Sequence, residues 1–366
     1  MKSNTEISIP TLPAETSPET NFRLSYRSKF LKRVAFISVC AIICFIVSLY
    51  SVTLGSYDLT MGDVFHYIAQ AIMGVDLSEN NAAYVVLNLR LPRIVGAIVC
   101  GAALAICGAA MQSMMKNPLA DPYTMGISSG AGFGAALAII FGIEFIAGGG
   151  IIINAFICAL IPALVILFLS KVRRATPTMM ILCGISLMYV FNAMTQLFML
   201  VSSPDDLSAV YTWMVGSLAD VSWSDLAIIS IITLAGSIYI QIMANQLNIM
   251  GIGDESAKTM GVNVDRQRLI ILMVITLVAA SVVSFTGVIG FVGLVAPHIV
   301  RIVLGADNKF LIPGSAVFGA VLLLVSDMVA RTIVAPTMLP VGVITACLGG
   351  PIFMYLILRN SKEVWS

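Results

Sequence analysis

Nine stretches of uncharged, mostly apolar residues follow one another along the chain, and together they restrict it to a solvent other than water. They are Val34–Tyr57, Ile94–Met115, Pro122–Ile143, Phe145–Ser170, Ala175–Pro204, Leu226–Gly253, Leu269–Val300, Phe310–Ser326 and Thr332–Leu358. A helix crosses a bilayer with about 20 apolar residues. At 32 residues, Leu269–Val300 exceeds one crossing, and Gly287, Gly290 and Gly293 interrupt its second half. It is expected to form two segments, the second short or irregular, which brings the total to ten. Only 11% of the 366 residues are charged and 59% are hydrophobic. A soluble domain carries about a quarter charged residues, so most of this exterior must face lipid. The expected fold class is an all-α membrane protein, a polytopic bundle of ten transmembrane helices with both termini cytoplasmic.

Lysine and arginine placement sets the orientation. With the termini in the cytoplasm, 17 of the 20 basic residues fall inside. They are Lys2, Arg23, Arg27, Lys29, Lys32 and Arg33 before the first span, then Lys116, then Lys171, Arg173 and Arg174. Lys258, Arg266 and Arg268, then Arg301 and Lys309, and finally Arg359 and Lys362 complete the set. Arg90, Arg93 and Arg331 remain outside and need a reason. One is snorkelling, in which long side chains at helix ends reach water. The other is a cationic docking patch for an acidic partner.

Three regions follow. Residues 1–30, rich in Ser, Thr, Pro and Glu, read as a disordered cytoplasmic tail. Residues 31–360 read as the ten-helix membrane domain, with a cytoplasmic loop at 246–266, and residues 361–366 as a cytoplasmic end. The run Val34–Leu54 has 21 uncharged residues behind a 33-residue leader, too long on both counts for a secretory signal, so it reads as an uncleaved span. Asp58–Gly74 carries Val64, Phe65, Ile68 and Ile72 at the spacing of a short amphipathic helix on the outer surface.

The chain carries little chemistry of its own. Its seven cysteines lie in apolar runs without CxxC spacing, and it has two histidines, His66 and His298. No metal site and no catalytic residue is expected. The net charge of +1 gives no attraction to nucleic acid. There is no GxxxxGK[ST] phosphate loop, and the glycines of Gly126–Gly134 suit close helix packing in lipid. Only Asp327 stands clearly inside a span, whereas gradient-driven carriers and intramembrane enzymes place ionisable groups there. A carrier and an intramembrane enzyme therefore rank below a permease driven by a separate ATPase. A motor could act on the 246–266 loop, where Asp254 and Glu255 can start a short helix carrying Ala257, Lys258 and Met260, and Gly253 and Gly261 can bound it. A solvated connector fits the same residues.

Several motifs narrow this further. Leu89-Arg90-Leu91-Pro92-Arg93 leads into the Gly101–Gly108 run, and Lys116-Asn117-Pro118-Leu119-Ala120-Asp121-Pro122 precedes Gly126–Gly132. Gly253-Asp254-xx-Ala257-xxx-Gly261, Gly290–Arg301, Asp327-xx-Ala330-Arg331 and Leu339-Pro340-Val-Gly342 follow in order. This succession resembles the iron-chelate and cobalamin ABC transporter permease family, and it covers roughly residues 34–360.

The resemblance implies a pair of permeases, identical or homologous, in a bacterial inner (cytoplasmic) membrane. Two ATPase subunits that carry the ATP and Mg²⁺ bind below, and a soluble substrate-binding protein docks above. No cofactor is then expected on this chain. Arg90, Arg93 and Arg331 would dock the binding protein. Gly253, Asp254, Glu255, Ala257, Lys258 and Gly261 would couple to the ATPase. Asn117 and Leu119 would belong to a cytoplasmic gate, although Pro118 and Pro122 could simply shape a tight turn. Asn192, Met194, Gln196 and Met199 on the fifth span would line a neutral cavity. The cargo implied is an iron chelate, ferric siderophore first, with haem and cobalamin as alternatives. Asp327 could be a translocation residue, but one helical turn from Arg331 it reads first as a structural hydrogen-bond partner.

Overall fold

The computed structural model describes residues 18–55, 57–77, 79–172, 176–335 and 337–359. The tail residues 1–17, Arg173, Arg174 and the 361–366 end lie outside them. Among the described residues every regular element is helical. In chain order these are α1 (Pro18–Thr53), α2 (Met61–Ile72), α3 (Asn81–Tyr84), α4 (Leu91–Met115), α5 (Ile127–Phe141), α6 (Gly150–Leu169), α7 (Pro177–Leu200) and α8 (Pro204–Val215). They continue as α9 (Trp223–Ile242), α10 (Ala244–Ile252), α11 (Asp254–Thr259), α12 (Val264–Thr286), α13 (Val292–Leu304), α14 (Asn308–Thr332) and α15 (Val341–Arg359). Among the described residues, seven helical spans are long and apolar enough to cross a membrane, and three shorter apolar helices accompany them, Ile127–Phe141, Val292–Leu304 and Val341–Tyr355.

Two expectations about local structure change. Residues 18–30, expected within the tail, belong to the first helix, which starts at Pro18. The second span also begins before Ile94. α3 passes through a π-helical turn, Val85–Arg90, into α4, so Asn81–Met115 runs as one 35-residue helix. Pro92 follows the π turn directly, and a wider turn accommodates a residue that has no N–H and crowds the preceding carbonyls. The expected split of Leu269–Val300 is present. α12 stops at Thr286 and α13 starts at Val292, with Gly287 at φ +68° and Phe291 at φ +68° between them. Irregular backbone at membrane depth persists only where protein encloses it. Here Ser217 N–H donates to the Thr286 carbonyl at 2.8 Å, and Val288, Ile289 and Val292 are enclosed or half-enclosed by protein.

α4 forms the centre of the bundle, with 78% of its most apolar window buried. Small residues make that possible, because within lipid helices associate through close backbone contact. A Cβ at Gly101 would stand 2.5 Å from the Gly319 carbonyl oxygen of α14, and one at Gly108 would overlap the Gly293 carbonyl of α13. α5 and α6 form a hairpin joined in the same way, Gly130 against the Cys158 carbonyl and Gly134 against that of Asn154.

The two ends of the bundle sort as the charge pattern orients them. At one end Arg33 pairs with Asp307, and Lys116 and Arg268 pair with Asp254. At the other, Arg90 donates to the Val52 and Tyr57 carbonyls and Trp223 Nε1 donates to the Leu87 carbonyl. α2 lies at this second end, as its amphipathic pattern predicts, and is closed by a Thr60–Asp63 capping box.

Candidate functional site

At the outer end, α4 delivers Arg90 and Arg93 to the last turns of α14, which carries Asp327 and Arg331. Arg93 Nε donates to Asp327 Oδ1 at 2.8 Å, and Arg331 Nε lies 3.1 Å from Asp327 Oδ2. Arg331 also donates to the Ser51 and Leu54 carbonyls and to Ser51 Oγ. Asp327 is therefore the structural partner of Arg331 that the sequence suggested, and of Arg93 as well. The three guanidinium groups do not reach off the surface. Their residues are only 5–6% exposed, and with Leu54, Tyr57, Ala219 and Met338 they line a cavity of about 260 Å³. Arg93 and Arg331 share the Asp327 carboxylate, while Arg90 is held by the Val52 and Tyr57 carbonyls with Asp58 nearby, which leaves a positively charged recess rather than a projecting patch.

At the cytoplasmic end, α10 and α11 meet at Gly253 (φ +149°), and Gly261 (φ +84°) follows α11. The glycine-bounded knob is as the sequence predicts. Ala257 anchors it, fully buried, whereas Glu255, Lys258, Met260 and Ile252 face outward. Asp254 behaves differently from a cap residue. Its carboxylate turns inward, accepting from Lys116 Nζ at 2.9 Å and from Arg268 Nη2 at 3.1 Å. Partial burial raises its pKa, but the Lys116 hydrogen bond and the Arg268 charge outweigh that and hold the carboxyl below its ordinary value.

The two gate candidates adjoin this knob. Asn117 Oδ1 accepts the Leu119 N–H at 2.9 Å, closing an Asx turn around Pro118. Asn117 is thus occupied with the turn, while Leu119 stands 48% exposed. The four α7 candidates separate. Helical geometry places Asn192, Gln196 and Met199 on one flank and Met194 on the other, with the buried Phe191 and Thr195 between. Gln196 and Met194 are exposed, and Asn192 and Met199 are half-buried.

Sequence reasoning missed a polar network inside the cytoplasmic half. Ser113 Oγ donates to Asn308 Oδ1 at 2.7 Å, Asn248 Oδ1 accepts from Asn308, and Asn248 Nδ2 donates to Asp307. Gln112 accepts from Arg301 and donates to the Leu294 carbonyl. Asp121 is also buried, capping a short 3₁₀ turn at Pro122–Met125. The signal available for these was a polar residue at the end of a span, which single-sequence periodicity treats as loop.

These features sit on a chain whose residues 41–359 match the family model described as the FecCD transport family. The chain belongs to the FecCD transport family. A protein named as an ABC transporter permease in Methanocaldococcus jannaschii is 43% identical over 351 residues, 93% of this chain and 98% of that one. The hemin transport system permease of Yersinia pestis is 39% identical over 78% of this chain and 87% of its own length. A cobalamin import permease of Halobacterium salinarum is 39% identical over 81% and 78%. Among solved structures, an inward-facing metal-chelate type ABC transporter superposes with a TM-score of 0.78 at 27% identity, covering 88% of this chain and 98% of that one. This permease is therefore a polytopic helical membrane protein of a metal-chelate, haem or B12 type of importer. Its similar proteins include archaeal ones, so the bacterial membrane expected from the sequence is only one of the settings in which such chains occur.

Proposed function

We propose that the chain is the permease subunit of an ATP-driven importer of a metal chelate, working as a dimer with two ATPase subunits and an external binding protein. The observation that carries this reading is the cytoplasmic knob. It presents Glu255, Lys258 and Met260 outward on a short helix whose Asp254 is tied to two spans, a surface suited to a motor docking from below. ATP and Mg²⁺ then belong to the partner, and this chain performs no catalysis. At the outer end, a carboxylate of the binding protein enters the recess lined by Arg90, Arg93 and Arg331, where the net positive charge receives it.

The cargo proposed is a ferric siderophore. A second reading, haem or cobalamin, is favoured by the equal 39% identity to permeases named for each. The test is uptake of radiolabelled ferric hydroxamate, haemin and cyanocobalamin into proteoliposomes holding the full complex with ATP inside the assay. ATP-dependent accumulation of one class supports the importer and selects the cargo. Accumulation that survives ATP depletion and stops when an ion gradient collapses would replace this reading with a gradient-driven carrier.

A further inference from the structure

The last turn of α4 is bonded to three separate parts of the cytoplasmic half. Gln112 joins it to α13, through the Leu294 carbonyl at 3.1 Å and Arg301 Nη2 at 3.3 Å. Ser113 joins it to Asn308 at the start of α14. Lys116 joins it to Asp254, the first residue of α11. Lys116 also ends α4 in a left-handed conformation, φ +51° and ψ +36°. Asn117 N–H returns to the Gln112 carbonyl at 3.1 Å, the bond of a Schellman ending, whose left-handed position is usually a glycine. A residue with a Cβ is held there against its preference. Its backbone bonds to Ser113 and Gln112 close that ending, and the side chain that leaves it reaches Asp254. Asp254 is held from the other side by Arg268 of α12, whose side chain is fully buried. The residue directly after Lys116 opens the Asx turn that exposes Leu119.

We infer that Lys116 and Asp254 are the positioning pair that carries displacement of α11 into the 117–121 loop, with the left-handed joint at Lys116 as the pivot and Arg268 as the fixed point. A push or pull on α11 reaches Asp254 first, and two charge-assisted bonds divide it between α12, which is packed over its length, and Lys116, which sits at a chain reversal. The reversal is the softer of the two. This inference rests on the ATP-driven reading given above.

The experiment uses the full complex with its ATPase subunits in nanodiscs and needs no identified cargo. Cys183 and Cys347, the cysteines outside the core among the described residues, are replaced by Ser, and Leu119→Cys reports the loop through its rate of maleimide labelling with and without ATP. ATP is expected to change that rate several-fold. Lys116→Met is expected to abolish the change while ATP hydrolysis and subunit association persist, and Lys116→Arg, which keeps the charge, restores it. Asp254→Asn, of equal volume, gives the same loss and stands in if Lys116→Met fails to assemble. A several-fold change that survives both Lys116→Met and Asp254→Asn overturns the inference and leaves the importer reading standing. A parent complex that hydrolyses ATP without any change at position 119 also overturns the inference alone. A parent chain that binds no ATPase overturns the importer reading, and the inference falls with it.

Discussion

Arg93 on α4 and Asp327 on α14 form an ion pair at 2.8 Å, with 7% and 0% of their side chains exposed. The pair bolts the central helix to its principal neighbour at the outer end, and Arg331 adds a second guanidinium to the same carboxylate. Removing one partner of a buried pair leaves an uncompensated charge, at a cost of about 3–5 kcal/mol. Asp327→Ala leaves two such charges. Thermal unfolding in detergent should show a clear loss of stability, larger than that of Arg93→Met, and the prediction fails if Asp327→Ala matches the parent protein.

Close packing gives a sharper contrast. At Gly108 a methyl group would overlap the Gly293 carbonyl, whereas Gly251 on α10 has open space around it. Gly108→Ala should therefore prevent accumulation of folded protein in the membrane. Gly251→Ala should be tolerated, with about 0.5–1 kcal/mol of helix stabilisation. Expression followed by size-exclusion chromatography separates the two, and equal behaviour would argue against the α4–α13 contact.

The pH dependence of the knob follows from Asp254. Its carboxyl lies below the ordinary value in the folded protein, so the stability it contributes is present above an unfolded pKa of about 3.9 and is lost as pH falls through the lower folded value. Protease protection of the 246–266 loop should be flat from about pH 5 to 8 and decline only below about pH 4. A loss of protection between pH 5 and 7 would mean that Asp254 is not held by Lys116 and Arg268.

The α7 flanks separate lining from packing. If the flank with Asn192, Gln196 and Met199 borders the route, Asn192→Phe and Gln196→Phe should reduce uptake by tenfold or more, about 1.4 kcal/mol or above in the transport barrier. Met194→Phe, on the other flank, should transport normally. Normal uptake in Gln196→Phe with an intact complex would remove this face from the pathway.

Much of this architecture is legible in the order of the amino acids. Uncharged runs placed the apolar helices, and the glycines at 287, 290 and 293 marked the break between α12 and α13. Lysine and arginine counts assigned each loop to an end, and the long-range bonds Arg33–Asp307 and Lys116–Asp254 join loops assigned to the same end. The helical start at Pro18 and the π turn before Pro92 were not legible. A helix that emerges from the membrane into water carries no apolar signal in its polar turns, and a π turn changes the hydrogen-bond register without changing composition. The three arginines of the outer end were singled out by sequence because they violated the charge rule, but whether they project or fold inward depended on Asp327 and the α1 carbonyls, which are distant in the chain.

The sequence by itself determined the solvent, the direction of each span and the glycine-bounded cytoplasmic knob, because hydropathy, charge and backbone freedom are properties of short segments. Tertiary structure alone decided which charges meet: Arg93 with Asp327 across 234 residues, and Lys116 with Asp254 across 138. An ion pair is a matter of a few ångströms, and only the packing of α4 against its neighbours brings those groups that close.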